Sequence, residues 1–240
     1  MLVEVCANSL ESALNAQEAG ADRIELCSEL GVGGITPSFG LLKLVKEQLH
    51  IPVHVLIRPR SGHFSYTNHE LETMLKDISF CRELGVEGIV SGVLHPNFEL
   101  DIYNTQKLMA QAEGMLFTFH RAFDWVRNPK ETYQKLDNLG VDYVLTSGQQ
   151  VNAAKGLELL KSLNEASENC TVMAGGGVNP ENISLFKNAK MKAIHLSGTT
   201  FGNSMDLKGK LPMNSANHLK EGDVAVTNTD KVRQIVHSVK

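Results

Sequence analysis

Short strings of alternating apolar and polar residues recur along the chain, and a segment with helical periodicity follows each of them. The first string is LVEVCA (2–7), in which Glu4 and Cys6 share one face of a strand and apolar residues occupy the other. In the next segment, SLESALNAQEAG (9–20), the apolar residues recur at helical spacing up to Gly20. This order predicts a strand followed by a helix.

The same pair of predicted elements occurs eight times along the sequence. The strand strings are LVEVCA, DRIELC, PVHVLI, EGIVSGVL, MLFTFH, DYVLTS, CTVMAG and KAIHLS. Strands that alternate with helices of about ten to fifteen residues indicate parallel pairing with right-handed crossovers. Eight such units in roughly 250 residues are typical of a closed barrel. We therefore predict an α/β protein with a single (β/α)8 TIM-barrel domain over residues 1–240.

An open, doubly wound sheet is the alternative architecture. It is less favoured because no G-x-G-x-x-G follows the first strand and no helical insertion indicates a second domain. Residues 199–228 fit neither the strand period nor the helix period. We predict a long loop or arm there, before the final helix.

In a barrel, the apolar face of each strand packs on the helices, so the alternate residues point toward the axis. These alternates are unusually polar; they are Glu4, Cys6, Glu25, Cys27, His54, Leu56, Arg58, Thr118, His120, Ala193, His195 and Ser197. An interior without a site is dominated by Val, Ile and Leu. Buried charges are costly unless they are paired. Structural ion pairs, such as Glu4 with Arg58, are therefore one interpretation, and a ligand site is the other.

Position along the strand separates these interpretations. Glu4 and His54 lie deeper in their strands, where structural pairing is favoured. Cys27, Arg58 and His120, like Ser197, come at the carboxyl ends of strands. That rim carries the active site in essentially every characterised barrel enzyme, so a functional role is favoured for them.

The string TFHRAFDW (118–125) brings His120, Arg121 and Asp124 together after the fifth strand. A His beside a carboxylate can be oriented as a proton carrier, and an Arg can hold a carboxylate or a phosphate. The other interpretation is that Arg121 and Asp124 pair with each other to shape the loop.

Glycines follow the last two strands of the predicted barrel. AGGGVNPEN supplies Gly175, Gly176 and Gly177, and LSGTT supplies Ser197 and Gly198. Loops in these positions often bind phosphate through their backbone amides, which predicts an anion site. Tight turns that need glycine only for their backbone angles are the alternative.

Cys6 and Cys27 end two neighbouring predicted strands, which lie about 4.8 Å apart in a parallel sheet. Their sulfurs are therefore candidates for binding one soft metal ion. No C-x-x-C pair is present, and buried cysteine often serves as a small apolar filler. Cys81 and Cys170 have positions typical of such filler.

Composition and charge limit the classes of partner that we expect. The chain has 240 residues, 42% of them hydrophobic, and its 27 acidic against 23 basic residues give a formal charge of −4. Without a basic run, nucleic acid is not an expected partner. No apolar run is long enough for a membrane span or a signal peptide, so we expect no membrane association and a cytoplasmic location. Four scattered cysteines are expected to be reduced thiols.

Several long strings resemble the CutC family, which is named for copper homeostasis. They are VEVCANSLESALNAQEAGADRIELCSELGVGGITPS, IPVHVLIRPRSGHFSYT, TFHRAFD, VLTSG and MAGGGVNPENI, in that order between about Leu2 and Ser197. The resemblance implies a TIM barrel, a cytoplasmic location and copper ligation by Cys6 and Cys27. Four positions depart from the family pattern: Ser61 replaces a second glycine, His63 replaces an acidic residue, and Gln149 and Gln150 replace a glycine-rich continuation.

Two functional hypotheses follow. In the first, the protein serves copper homeostasis and Cys6 and Cys27 bind Cu(I) as a soft cation. In the second, it is a metal-independent isomerase, epimerase or lyase-like enzyme acting on a small phosphorylated or carboxylated metabolite. Its acid and base would be Glu25 and His120, with the anion held by Arg58, Arg121 and the two glycine loops. We expect a homodimer or a higher homo-oligomer, because closed symmetric assemblies are the commonest.

Overall fold

The predicted barrel is confirmed by the computed structural model, which describes residues 1–202, 205–211 and 224–239. Eight parallel strands close into one barrel in sequence order, and the eighth pairs with the first. The strands are β1 (Leu2–Ala7), β2 (Arg23–Leu26), β3 (Val53–Leu56), β4 (Gly88–Ser91), β5 (Leu116–Phe119), β6 (Tyr143–Thr146), β7 (Thr171–Gly175) and β8 (Ala193–Leu196).

A helix follows each strand on the outside of the barrel. The helices are α1 (Leu10–Glu18), α2 (Phe39–Gln48), α3 (Asn68–Glu83), α4 (Ile102–Gln111), α5 (Pro129–Leu139), α6 (Leu157–Glu165), α7 (Ile183–Asn188) and α8 (Thr229–Val239). In each of the first four helices, a side chain caps the first turn. Ser9 accepts a hydrogen bond from the backbone of Ser12, and Thr67 forms a capping box with Glu70.

Strand alternation divides the buried residues into two layers. The helix-facing residues predicted from the pattern are all buried in the main core; they are Val3, Val5, Ile24, Leu26, Val53, Val55 and Ile57. Two small apolar clusters lie inside the barrel instead. One contains Cys6, Cys27, Leu56 and Val90, and the other is centred on Leu145, Met173 and Ala193. Polar side chains fill much of the remaining interior, as the alternation predicts.

Two short strands lie within residues 199–228. β9 (Thr199–Gly202) and β10 (Val224–Thr227) pair antiparallel in a separate two-stranded sheet. Thr227 ties this sheet to α1, because its backbone N–H donates to Ser12 Oγ and its carbonyl accepts from Asn15 Nδ2. The rest of the predicted loop or arm includes residues 203–204 and 212–223, which lie outside the described residues. Within the described ranges, no helix is long and apolar enough to cross a membrane.

Glycine at position 88 is predicted to be required for packing inside the barrel. Gly88 pairs with His54 on the neighbouring strand, and a Cβ at Gly88 would lie 2.4 Å from the His54 ring. Gly88→Ala should therefore lower the free energy of unfolding by about 1–3 kcal/mol through overpacking. Gly40→Ala is the matched control, because nothing lies within 4 Å of its added Cβ in helix α2. Urea unfolding should show no loss of stability for the control, and equal losses would contradict the packing argument.

Candidate functional site

A cavity of about 240 Å³ opens among the carboxyl ends of the barrel strands. Eight of the residues predicted for the site line it: Cys6, Glu25, Arg58, His120, Arg121, Gly176, Gly177 and Ser197. Four others, Cys27, Asp124, Gly175 and Gly198, do not line it. His195, which the alternation placed on the inward face but not in the site, lines the cavity as well.

Two cysteine sulfurs meet at the floor of this cavity. Cys6 Sγ and Cys27 Sγ are 3.4 Å apart, and both residues are buried. Cys27 follows the last residue of β2, at the carboxyl end of the strand as expected, but Gly34 of the following loop and Leu56 of β3 pack against it, so it does not line the cavity. The hydrogen bond with Cys27, together with burial, raises the pKa of the Cys6 thiol well above its usual value. The Cys6 sulfur is therefore a thiol until a cation replaces its proton.

The innermost charged group is Glu4, whose side chain is fully buried. Arg23 Nε donates to Glu4 Oε2 at 2.6 Å, and His195 Nδ1 lies 2.8 Å from Glu4 Oε1. Burial alone would raise the pKa of Glu4, but Arg23 and His195 lower it to about 2. The expected pairing of Glu4 with Arg58 is wrong, because Arg23 and His195 lie level with Glu4 on the two neighbouring strands.

His195 connects this ion pair to the cavity. Its second ring nitrogen, Nε2, lies 3.4 Å from Glu25 Oε2. Burial opposes protonation, but Glu25 and Glu4 together raise the pKa of His195. Burial raises the pKa of Glu25, and His195 partly offsets that effect. One ligand atom each from Cys6, Glu25 and His195 lies within 4.8 Å of the others, so this trio is able to hold a metal ion.

His120 faces the cavity as a neutral imidazole. Its Nδ1 accepts a hydrogen bond from the backbone N–H of Ala122, so Nε2 carries the ring proton. Nε2 is buried and has no hydrogen-bond partner among the described residues. Burial, reinforced by Arg58, lowers the pKa of His120 to about 3. The side chain is therefore suited to donating a hydrogen bond to a ligand at neutral pH.

Asp124 does not orient His120, contrary to the proton-carrier expectation. It accepts hydrogen bonds from Arg121 Nε at 2.7 Å, from the Ser147 backbone N–H at 3.0 Å and from the Thr146 hydroxyl. The alternative interpretation, a pair that shapes the loop, describes these contacts. Arg121 also donates to Ser147 Oγ and remains about half exposed at the cavity wall.

Arg58 is held mainly by backbone carbonyl groups. Its Nη1 donates to the carbonyls of Val32 and Gly34, at 2.9 and 2.7 Å, and its Nη2 donates to Gly62 at 2.8 Å. These bonds join the loops after β2 and β3 at the cavity mouth. Arg58 therefore positions the wall of the cavity, which leaves Arg121 as the better placed anion-binding arginine.

The two glycine loops predicted to bind an anion line two neighbouring cavities. Gly176 and Gly177, with φ of 99° and 75°, line the main cavity together with Ser197. Gly175 lies inside β7, where a Cβ would collide with Leu145. Gly198 lines a smaller neighbouring cavity of about 160 Å³. Gly177 and Ser197 line both cavities, so four of the five residues lie around these two cavities and the predicted anion site stays a prediction.

The four departures from the family pattern do not line the main cavity. Gln149 Nε2 donates to the Val126 carbonyl, and the carbonyl of Gln150 accepts from Ser147 Oγ, so both brace the loop after β6. His63 lies beside a separate, mainly apolar cavity that includes Trp125.

Sequence reasoning missed Arg23 and gave His195 no role. The signal for Arg23 was present, because Arg23, Glu25 and Cys27 alternate on one face of β2. Phe64, which lines the cavity and lies 5.1 Å from the Arg58 guanidinium, carried no such signal because it belongs to a loop.

The closed barrel and the cavity at its carboxyl ends define a (β/α)8-barrel protein with a candidate ligand site. The profile of the CutC family matches residues 1–200, and this chain belongs to that family. A CutC family protein from Enterobacter sp. (strain 638) is 45% identical over 196 residues, covering 82% of this chain and 79% of the relative. A relative from Histophilus somni (strain 2336) is 42% identical over 233 residues, covering 96% of this chain and 95% of the relative.

A solved structure extends the comparison. It is a CutC protein from Streptococcus agalactiae, named for copper homeostasis, with a TM-score of 0.78 and 33% identity. The match covers 82% of this chain and 98% of the solved one. The family expected from the sequence strings is thereby confirmed.

Removal of Arg23 is predicted to destabilise the protein strongly. Arg23→Ala would leave the buried Glu4 carboxylate without its arginine partner, and breaking a buried pair in this way costs about 3–5 kcal/mol. Lys46→Ala is the control, because its ion pair with Glu87 is partly exposed and should contribute less than about 1 kcal/mol. Chemical denaturation measures both, and a small effect of Arg23→Ala would contradict the assigned pairing.

Acid is predicted to destabilise the fold partly through His120. The pKa of His120 falls from 6.5 to about 3 on folding, so the unfolded chain binds one more proton between those pH values. Its stabilising contribution is complete above pH 6.5 and is lost as the pH falls toward 3. His120→Asn keeps an acceptor for Ala122 but does not titrate. Between about pH 6 and 4, its unfolding free energy should fall less steeply than that of the wild type, by up to about 1.4 kcal/mol per pH unit. Equal slopes would show that His120 is not buried neutral.

Proposed function

We propose that this CutC family protein binds Cu(I) through Cys6 and Cys27. The observation that carries the proposal is the 3.4 Å contact between their sulfurs at the floor of the cavity. Thiolates are soft ligands that suit Cu(I), and no other pair of the four cysteines forms a sulfur contact within the described residues. The copper-homeostasis name of the Streptococcus agalactiae relative supports the same assignment.

Access to this pair runs through Cys6, which lines the cavity, whereas Cys27 lies behind it. With metal–sulfur bonds of about 2.3 Å, sulfurs at the observed distance would hold an ion in a bent rather than a linear arrangement. Rotation of the Cys6 side chain toward the cavity would lengthen the distance between the two sulfurs and allow linear coordination. Alternatively, a third ligand from the cavity would complete a bent coordination. Either change occurs at the accessible sulfur.

A Cu(I) titration against a competing chelator tests the proposal. The reduced wild-type protein should bind one ion per chain, and the Cys6→Ser, Cys27→Ser double variant should bind at least about 100-fold more weakly because both thiolates are lost. The Cys81→Ser, Cys170→Ser double variant is the matched control, because these buried cysteines make no contact with the cavity. Equal binding by both double variants would overturn the copper assignment.

A second candidate function is catalysis on a small phosphorylated or carboxylated metabolite. It is favoured by the convergence of Arg121, the His120 Nε2 atom and the Gly176–Gly177 turn on one cavity. Arg121 would bind the anionic group, and His120 would donate a hydrogen bond to a ligand oxygen. Glu25, with its raised pKa beside His195, would exchange a proton with the ligand. An isomerase, an epimerase or a lyase fits these groups.

Anion binding should depend on Arg121. Arg121→Gln is expected to weaken the binding of inorganic phosphate and of a small phosphate monoester about 10- to 100-fold, because a charge-assisted hydrogen bond is lost. Arg233→Gln is the control, since Arg233 lies on the surface and pairs with Asp230. Isothermal titration at low salt measures both. Wild-type affinity in a folded Arg121→Gln protein would exclude this anion site.

A further inference from the structure

We propose that Cys6, Glu25 and His195 form a binding site for a zinc-class divalent cation, with one coordination position open to the cavity. This site shares Cys6 with the proposed Cu(I) pair but does not use Cys27. It does not depend on whether copper binds. The three side chains come from three different strands, β1, β2 and the end strand β8, so the closed barrel itself brings them together.

The spacing of the three ligand atoms suits a tetrahedral ion. A site with metal–nitrogen and metal–oxygen bonds of about 2.0–2.1 Å requires those two ligand atoms to lie roughly 3.3 Å apart. His195 Nε2 and Glu25 Oε2 are 3.4 Å apart. One ligand atom from each residue lies within 4.8 Å of the others, whereas a tetrahedral ion requires roughly 3.6 Å between the sulfur and an oxygen or nitrogen ligand. The Cys6 sulfur therefore needs to move by about 1–1.5 Å at most, which side-chain rotation provides.

Glu4 holds the imidazole in the orientation that a metal ligand needs. Glu4 Oε1 lies 2.8 Å from His195 Nδ1 and accepts a hydrogen bond from it, which directs Nε2 toward Glu25. A histidine that binds a metal through one nitrogen while donating to a carboxylate through the other is a recurrent arrangement in metal sites. Glu4 is itself fixed by Arg23. Glu4 is therefore a positioning residue for the proposed ligand.

The charges of the interior balance with or without a divalent ion. Without it, Glu4 pairs with Arg23, and Glu25 Oε2 faces His195 Nε2 at 3.4 Å, where one proton on either group would bridge the two. A divalent cation would take the place of that proton and of the thiol proton of Cys6. Two protons leave as two positive charges arrive, so the net charge of the buried cluster does not change. Burial of a divalent cation therefore creates no unpaired charge here.

The fourth coordination position would face the cavity. Three protein ligands and one open position are typical of catalytic rather than structural zinc sites, because the open position holds water or a ligand oxygen. His120 and Arg121 line the same cavity. A carboxylate or phosphate ligand held by Arg121 would therefore lie in the space next to the metal. Oxygen-bearing anions are the ligand class that this arrangement fits.

Cobalt binding to the metal-free, reduced protein tests the site, because Co²⁺ gives a sulfur-to-metal charge-transfer band when a thiolate ligates it. One equivalent of Co²⁺ should produce this band in the wild type and in Cys27→Ser, and Zn²⁺ should displace it. Cys6→Ser should lack the band. His195→Gln and Glu25→Gln should weaken Zn²⁺ binding at least 10-fold while leaving the protein folded, as checked by circular dichroism.

Two outcomes would overturn the proposal. The first is a folded wild type that gives no charge-transfer band with Co²⁺. The second is a band that disappears in Cys27→Ser but persists in His195→Gln and Glu25→Gln, which would place the divalent ion on the cysteine pair. Cys27→Ser separates this result from the copper proposal, because it should abolish Cu(I) binding and preserve Zn²⁺ binding.

Discussion

The burial of one carboxylate, that of Glu4, constrains the rest of the structure, because folding removes this charge completely from water. A buried charge of this kind is tolerated only with partners, and Glu4 has two of them. Arg23 comes from β2 and His195 from β8, the strands on either side of β1. The contact between His195 and Glu4 therefore joins the last strand to the first, where the barrel closes. A shift of either neighbour by one residue would turn its partner side chain away, so closure in this register is required.

The buried group of Glu4, Arg23 and His195 also supports the next layer of side chains in the barrel interior, nearer the cavity. His195 uses one nitrogen for Glu4 and presents the other to Glu25 and the cavity. Cys6 follows Glu4 by two residues on the same strand face, so it lies one layer higher and lines the cavity floor. The barrel interior thus changes from a structural ion pair to a candidate binding site within about two residues of strand length. His195 contacts both the buried ion pair and the cavity, so its position in the sequence alone does not separate a structural role from the proposed binding role.

Much of this arrangement could be predicted from alternation. A period of two placed Glu4, Cys6, Glu25 and His195 on the inward face, and the eight repeated units gave the closed barrel. The partner of Glu4 could not be predicted, because cross-strand register is decided by packing of the whole barrel. Arg58 was chosen for its charge, but its guanidinium extends to carbonyl groups of two loops. Loop residues such as Asp124 were misassigned for the same reason, since loop conformation carries no periodic signal.

Cys6 is the residue on which the two proposed cations would compete, and electrostatics distinguishes them. Cu(I) bound by Cys6 and Cys27 would replace two thiol protons with one positive charge, so the cluster would gain one negative charge. Glu4 and Glu25 are already nearby, and that gain would have to be offset by Arg58 and Arg121 near the cavity mouth. A divalent ion on Cys6, Glu25 and His195 leaves the charge unchanged. The softness of the sulfur ligands favours Cu(I), whereas the charge of the barrel interior favours a divalent ion. Because both sites use the Cys6 thiolate, only one of the two ions would bind at a time.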